Sequence, residues 1–124
     1  MIRRSVNAGP ILVVDDDPHI LDVVSELLDM EGYQVTTAAN GAEALARLND
    51  TTPSLVLLDM RMPVLDGWGF AKELKARGLR PPILVMTAAQ NARTWAEEIG
   101  AQGYVAKPFE VPALLDAVER LRTN

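Results

Sequence analysis

Five short apolar runs recur along the 124-residue chain, Ile11 to Val14, Tyr33 to Ala38, Leu55 to Leu58, Ile83 to Met86 and Tyr104 to Ala106, with helical patterns between them. The first, third and fourth runs are apolar throughout, as strands covered by helices on both faces must be, whereas Tyr33-Gln34-Val35-Thr36-Thr37 alternates like an edge strand. Strands alternating with helices predict a parallel sheet in an α/β fold. The length suits a single domain that buries about two-thirds of the surface of its unfolded chain around one core. Residues 1–9 read as a loose arm and residues 10–124 as the domain, with no repeat, low-complexity tract or linker within it.

Helix signals fall where this scheme needs them. Asp17 is placed to cap a first helix with Pro18 in its first turn; Ile20, Val24, Leu27 and Leu28 form its stripe, and Gly32 follows its end. Asn40-Gly41-Ala42-Glu43 has the form of a capping box opening a second helix, with Leu45 and Leu48 inward. Asp66 caps a third, in which Phe70 and Leu74 share a face before Gly78. A fourth, around Arg93 to Ile99, is short and weakly patterned, and a fifth runs from about Val111 to Arg122 with Leu114, Leu115, Val118 and Leu121 inward.

Composition removes several chemistries. The chain has no cysteine, hence no disulfide framework, thiolate zinc site or Cys nucleophile. The apolar run after Arg3-Arg4 is too short for a signal sequence and no stretch approaches a membrane span, so a soluble, cytoplasmic protein with no membrane partner is expected. Twelve basic against seventeen acidic side chains leave a net charge of −5, and seven carboxylates with no base lie between Asp15 and Glu31. Direct nucleic-acid binding is therefore not expected. Of these acids, Asp22, Glu26, Asp29 and Glu31 read as a solvated helix face.

In an open parallel sheet, ligands collect beyond the carboxyl ends of the strands. Those ends carry Asp15-Asp16 after the first run, Asp59 after the third, Thr87-Ala88 after the fourth and Lys107-Pro108 after the fifth. Two like charges about 4 Å apart repel by roughly 4 kcal/mol at an effective dielectric of 20, so three carboxylates need more positive charge than Lys107 supplies. An oxygen-only cluster with no His or Cys suits a hard divalent ion, Mg²⁺ first, with Mn²⁺ able to substitute. A structural ion-pair cluster of Asp15, Asp16, Asp59 and Lys107 is the plainer alternative. With a cation, a hydroxyl and an ammonium present, the set suits phosphoryl transfer to a carboxylate. Asp59 would attack, Lys107 would pair with one phosphoryl oxygen and Thr87 would hydrogen-bond another.

The residues resemble the receiver domain of bacterial two-component response regulators. The likeness covers residues 10–122 and is carried by Ile11-Leu12-Val13-Val14-Asp15-Asp16-Asp17, Leu57-Leu58-Asp59-Met60-Arg61-Met62-Pro63, Asp66-Gly67, Met86-Thr87-Ala88 and Gly103-Tyr104-Val105-Ala106-Lys107-Pro108-Phe109. Asp16, Asp59, Thr87 and Lys107 stand 43, 28 and 20 residues apart in turn. The resemblance implies a three-layer, flavodoxin-like, doubly wound (βα)5 fold with strand order 2-1-3-4-5. It implies Asp59 as phosphoacceptor, Asp16 and Asp59 as direct Mg²⁺ ligands, Asp15 as a ligand through water, and the backbone carbonyl of Arg61 as a further ligand. Lys107 would contact the phosphoryl group beside a cis peptide to Pro108, and Thr87 and Tyr104 would form the switch. The donor would be a sensor histidine kinase or a histidine phosphotransfer protein. The output would be a downstream target or second receiver at the surface of the fourth helix, fifth strand and fifth helix. Such a domain signals rather than catalysing turnover, apart from assisting its own phosphorylation and dephosphorylation.

The stretch from Thr87 to Gly100 is shorter than the family's usual, which predicts a fourth helix that is short, shifted or partly unwound. Asp17 is better explained as a cap than as a ligand, His19 as a solvent-facing residue, and Trp68 and Trp95 as packing. Three other functions compete. A haloacid-dehalogenase-type phosphatase needs a second Asp where Arg61 stands; an electron carrier of the flavodoxin type needs a Gly/Ser/Thr-rich phosphate cradle where Asp15-Asp16-Asp17 stand; a pseudo-receiver that only binds proteins would not need the full acceptor set.

Overall fold

Strands and helices alternate strictly: β1 (Ile11–Val14), α1 (Pro18–Met30), β2 (Val35–Ala38), α2 (Gly41–Arg47), β3 (Leu55–Asp59), α3 (Gly67–Ala76), β4 (Ile83–Ala88), α4 (Ala89–Ile99), β5 (Gly103–Lys107) and α5 (Val111–Leu121). The structure, a computed structural model, describes residues 9–122; the expected arm lies outside the described residues except for Gly9. All strand pairings are parallel, in the order β2-β1-β3-β4-β5. This is the flavodoxin-like doubly wound arrangement. The chain leaves β1 in one direction to form β2 and returns past it to form β3, so the crevice of such a sheet opens at the carboxyl ends of β1 and β3.

The period-two alternation of the strands divides the core. Leu12, Val14, Val56, Leu58, Ile83 and Val85 face Ala44 of α2, Phe70 and Leu74 of α3, and Ala96 and Ile99 of α4. Ile11, Val13, Leu55, Leu57, Leu84 and Met86 face Val24 and Leu28 of α1, and Leu114, Ala117 and Val118 of α5. Each side chain of this size contributes roughly 1.5–3 kcal/mol on full burial. Both faces of β1, β3 and β4 are thus consumed by packing, which leaves only the strand ends for polar chemistry. No helix among the described residues is long and apolar enough to cross a membrane.

Caps set the helix starts. Asp17 accepts from the His19 N–H at 2.9 Å, Asn40 from the Glu43 N–H at 2.9 Å, and Asp66 from the Gly69 N–H at 2.9 Å. Glu43 also accepts from the Ala39 N–H at 2.9 Å, which closes a box one residue wider than the usual capping box. The expectation for α4 needs correcting. The helix is neither short nor unwound: it has eleven residues and begins at Ala89, the residue after the end of β4, with no side-chain cap at Ala88. Strand passes directly into helix, with no residue between Ala88 and Ala89. Tyr33 also lies before β2 rather than in it, with its ring buried against α1 and α5 and its hydroxyl donating to Glu119 at 2.7 Å.

Candidate functional site

β1 and β3 end side by side in acid. Asp15 follows β1, is fully buried, and extends the ladder by donating its N–H to the Ala38 carbonyl at 3.1 Å. One of its carboxylate oxygens accepts from the Asp17 N–H at 2.9 Å. The other accepts from the Lys107 ammonium at 2.6 Å, across 92 residues of chain. Asp59, the last residue of β3, is 7% exposed, and Lys107 lies 3.6 Å from its carboxylate. Asp16 is exposed at the rim. Asp15, Asp16 and Asp59 each present one oxygen within 4.8 Å of the others.

Burial pushes the Asp59 carboxyl up from its ordinary 3.8 to about 6; the Asp15 charge adds to this and that of Asp16 does so weakly, while Lys107 and the Met60 N–H oppose it. The site therefore holds more negative charge than its one ammonium neutralises. Oxygen donors only, close together and short of positive charge, are the donor chemistry of a hard divalent cation.

Two glycines let other elements close on this end of the sheet. A Cβ at Gly67 would lie 2.6 Å from the Met60 sulfur and 2.8 Å from its Cα, so only glycine lets α3 start against the acidic strand, where the Gly67 N–H donates to the Met60 carbonyl at 2.9 Å. A Cβ at Gly41 would meet the Leu65 carbonyl at 2.6 Å, where the Gly41 N–H donates at 2.8 Å and joins α2 to the loop after β3. Within that loop Val64 is 82% exposed at φ 71°, a left-handed conformation that β-branched residues rarely adopt.

A family model described as the response regulator receiver domain matches residues 11–119. The chain belongs to that family. PrrA of Mycobacterium leprae, a transcriptional regulatory protein, is 37% identical over 118 residues, which cover 94% of this chain and 51% of PrrA. The chain spans about half the length of the curated relatives it matches. Among solved structures, the chemotaxis response regulator CheY4 of Vibrio cholerae has a TM-score of 0.82 and 33% identity, covering 92% of this chain and 98% of CheY4. The response regulator TrrA of Thermotoga maritima, in complex with Mg²⁺ and BeF, has a TM-score of 0.79 and 34% identity, covering 90% of this chain and 97% of TrrA.

In this receiver domain the remaining expected residues are spread around the acids. Thr87 is buried one residue before the end of β4, opposite Ala106 of β5. Tyr104 pairs with Val85, so it shares a sheet face with Thr87 from a diagonal position, and it is 48% exposed. The Lys107-Pro108 peptide bond is cis. The side chain of Arg61 turns away from the acids, its guanidinium 5.3 Å from the centroid of the Trp95 ring. Sequence reasoning favoured packing for Trp95 over a role at the output surface and missed this contact. The two residues lie 34 positions apart on different elements, and only the proximity of Arg61 to Asp59 in sequence hinted that its partner would matter.

Proposed function

We propose that this receiver domain accepts a phosphoryl group on Asp59 from a phosphohistidine of a sensor kinase or phosphotransfer protein. A carboxylate oxygen of Asp59 attacks phosphorus, the new O–P bond forms as the P–N bond breaks, and the imidazole leaves with the electron pair and takes up a proton. Above about pH 6 the carboxyl is ionised, as a nucleophile must be. Lys107, now shared between Asp15 and Asp59, would pair with a phosphoryl oxygen, and Thr87, buried near the end of β4, would donate its hydroxyl to another.

Asp15, Asp16 and Asp59, with the backbone carbonyl of Arg61, would hold Mg²⁺ or, in its place, Mn²⁺; their oxygen donors fit it. When bound, the ion neutralises the carboxylates and the oxygens of the entering group. The direct and water-mediated roles of Asp16 and Asp15 follow the family, in keeping with the exposed position of Asp16 and the buried, Lys107-bound one of Asp15. With the phosphoryl group in place, Thr87 moves toward it, and the room left opposite by the small Ala106 lets Tyr104 turn inward. A change of about two charges at a two-state surface shifts partner affinity 5- to 150-fold. That surface is made by α4, β5 and α5, and its partner is a downstream protein or a second receiver. The domain is a signalling acceptor rather than an enzyme, located in the cytoplasm, and makes no direct contact with nucleic acid.

The observation that carries this reading is the cluster of Asp15, Asp16 and a buried Asp59, two of whose carboxylates, Asp15 and Asp59, share one lysine. A small phosphodonor with Mg²⁺ is expected to add a single phosphoryl group of about 80 Da. Asp59→Asn or a chelator should abolish the gain, and a mass shift that survives Asp59→Asn would overturn the assignment. The phosphatase alternative predicts continuous turnover of phosphate esters, which the same incubation would reveal as excess inorganic phosphate.

A further inference from the structure

Arg61 stands two residues after Asp59, yet its charge is not spent on the acidic cluster. The charges acting on Asp59 are those of Asp15, Lys107 and Asp16. Arg61 forms no ion pair among the described residues, and its guanidinium rests over the ring of Trp95. Trp95 meets Trp68 edge to face, with centroids 4.9 Å apart and planes at 69°. The Trp68 indole N–H donates to Glu98 at 2.8 Å. One stack therefore joins the loop after β3 through Arg61, α3 through Trp68, and α4 through Trp95 and Glu98. The direct junction of β4 with α4 helps to set where Trp95 stands, two turns into the helix.

Resting on the assignment of Asp59 as phosphoacceptor, we propose that Trp95 is a positioning residue that parks Arg61 away from the site in the unmodified domain and gives it up when Asp59 carries a phosphoryl group. A guanidinium held only by a partly buried ring, with no ion pair, is weakly held. A phosphoryl group of about two negative charges offers the same fork charge-assisted, bidentate hydrogen bonds, which are stronger. Because Arg61 is only two residues from Asp59, the transfer needs a side-chain swing and no rearrangement of an element. Its consequence is that α4 loses its link to the acceptor loop, so the stack reports the state of the site to that helix. By reciprocity, whatever strengthens the Trp95 contact weakens occupancy at Asp59.

Trp68 and Trp95 are the two tryptophans of the chain, so intrinsic emission reads the stack directly. The full chain is titrated with beryllofluoride and Mg²⁺, with ¹⁹F NMR measuring occupancy and tryptophan fluorescence measuring the stack. Emission is expected to change with occupancy in the wild type. Arg61→Ala, which keeps the backbone carbonyl but loses the fork that reaches the bound group, should bind beryllofluoride more weakly and, at matched occupancy, show flat emission. Trp95→Leu should bind beryllofluoride about 2- to 5-fold more tightly, because Arg61 no longer leaves a ring to reach the site, and Trp95→Tyr should restore the wild-type affinity. A full emission change in Arg61→Ala, or unaltered affinity in Trp95→Leu, overturns the proposal. A bound ¹⁹F signal with constant wild-type emission refutes the parking of Arg61 and leaves the acceptor assignment standing. No bound signal in the wild type refutes the acceptor assignment, and this proposal with it.

Discussion

The two ends of the same sheet are built on opposite principles. At the amino end, β1, β3 and β4 begin with Ile11, Leu55 and Ile83, all buried, and the connections into β3 and β4 form a mainly apolar groove of Leu48, Pro53, Leu79, Pro81 and Pro82, edged by Thr51, Thr52 and Arg80. Polar groups there are met by neutral partners: the Ser54 N–H by the Pro10 carbonyl at 2.9 Å, the Val56 N–H by the Pro82 carbonyl at 2.9 Å, and the Ile83 N–H by the Gln102 side chain at 2.7 Å. At the carboxyl end the same three strands run into Asp15, Asp59 and Thr87, and a lysine is drawn in from β5. Burying charge that is only partly compensated lowers stability, so an end that does so has been shaped by chemistry rather than by folding. The amino end shows what this sheet looks like when folding alone decides.

That contrast breaks if truncation at the amino end is harmless. Leu55→Ala removes a fully buried side chain and is expected to cost about 2–5 kcal/mol in a urea titration, with no direct effect on occupancy at Asp59. The carboxyl end should behave in the opposite sense. Asp59 holds its proton more tightly when folded, near 6, than when unfolded, near 3.8. Its stabilising contribution is therefore complete below about pH 4 and is lost as the pH rises through 6. With chelator present, this group alone is expected to make the domain less stable at pH 7 than at pH 3 by about 3 kcal/mol. Asp59→Asn should flatten that slope and raise stability at pH 7; an unchanged slope would remove Asp59 as its source. The smallest effect concerns the loop beside the acids. Val64→Gly relieves the left-handed strain at an exposed position and should stabilise the domain by about 1 kcal/mol, while any loss of stability would show that the strain is not there.

Much of this architecture was readable because local and tertiary signals agree. The apolar runs mark strands that must be covered on both faces, and Asp17, Asn40 and Asp66 mark helix starts by offering an oxygen to an orphan N–H. Asp15, Asp59, Thr87 and Lys107 were found by position, since each falls where an apolar run ends. α4 was misjudged because its first turn lacks such a signal: Ala88 offers no side-chain oxygen, and the pattern through Ala89 and Gln90 is bland. The alternation of Tyr33 with Val35 and Thr37 continues the β2 pattern and predicts a strand, whereas the partners on α5 that hold the ring lie more than eighty residues away.

Taken alone, the amino-acid order determined the alternation of strands and helices, the acids at the strand ends and the family, because these depend on periodicity, capping and spacing within short stretches. Tertiary structure decided the rest: that Lys107 bonds Asp15 across 92 residues, that burial lifts the Asp59 carboxyl to about 6, and that Arg61 turns to Trp95 rather than to its near neighbour Asp59. Those outcomes depend on desolvation and on contacts between distant elements, which exist only once the helices have closed over the sheet.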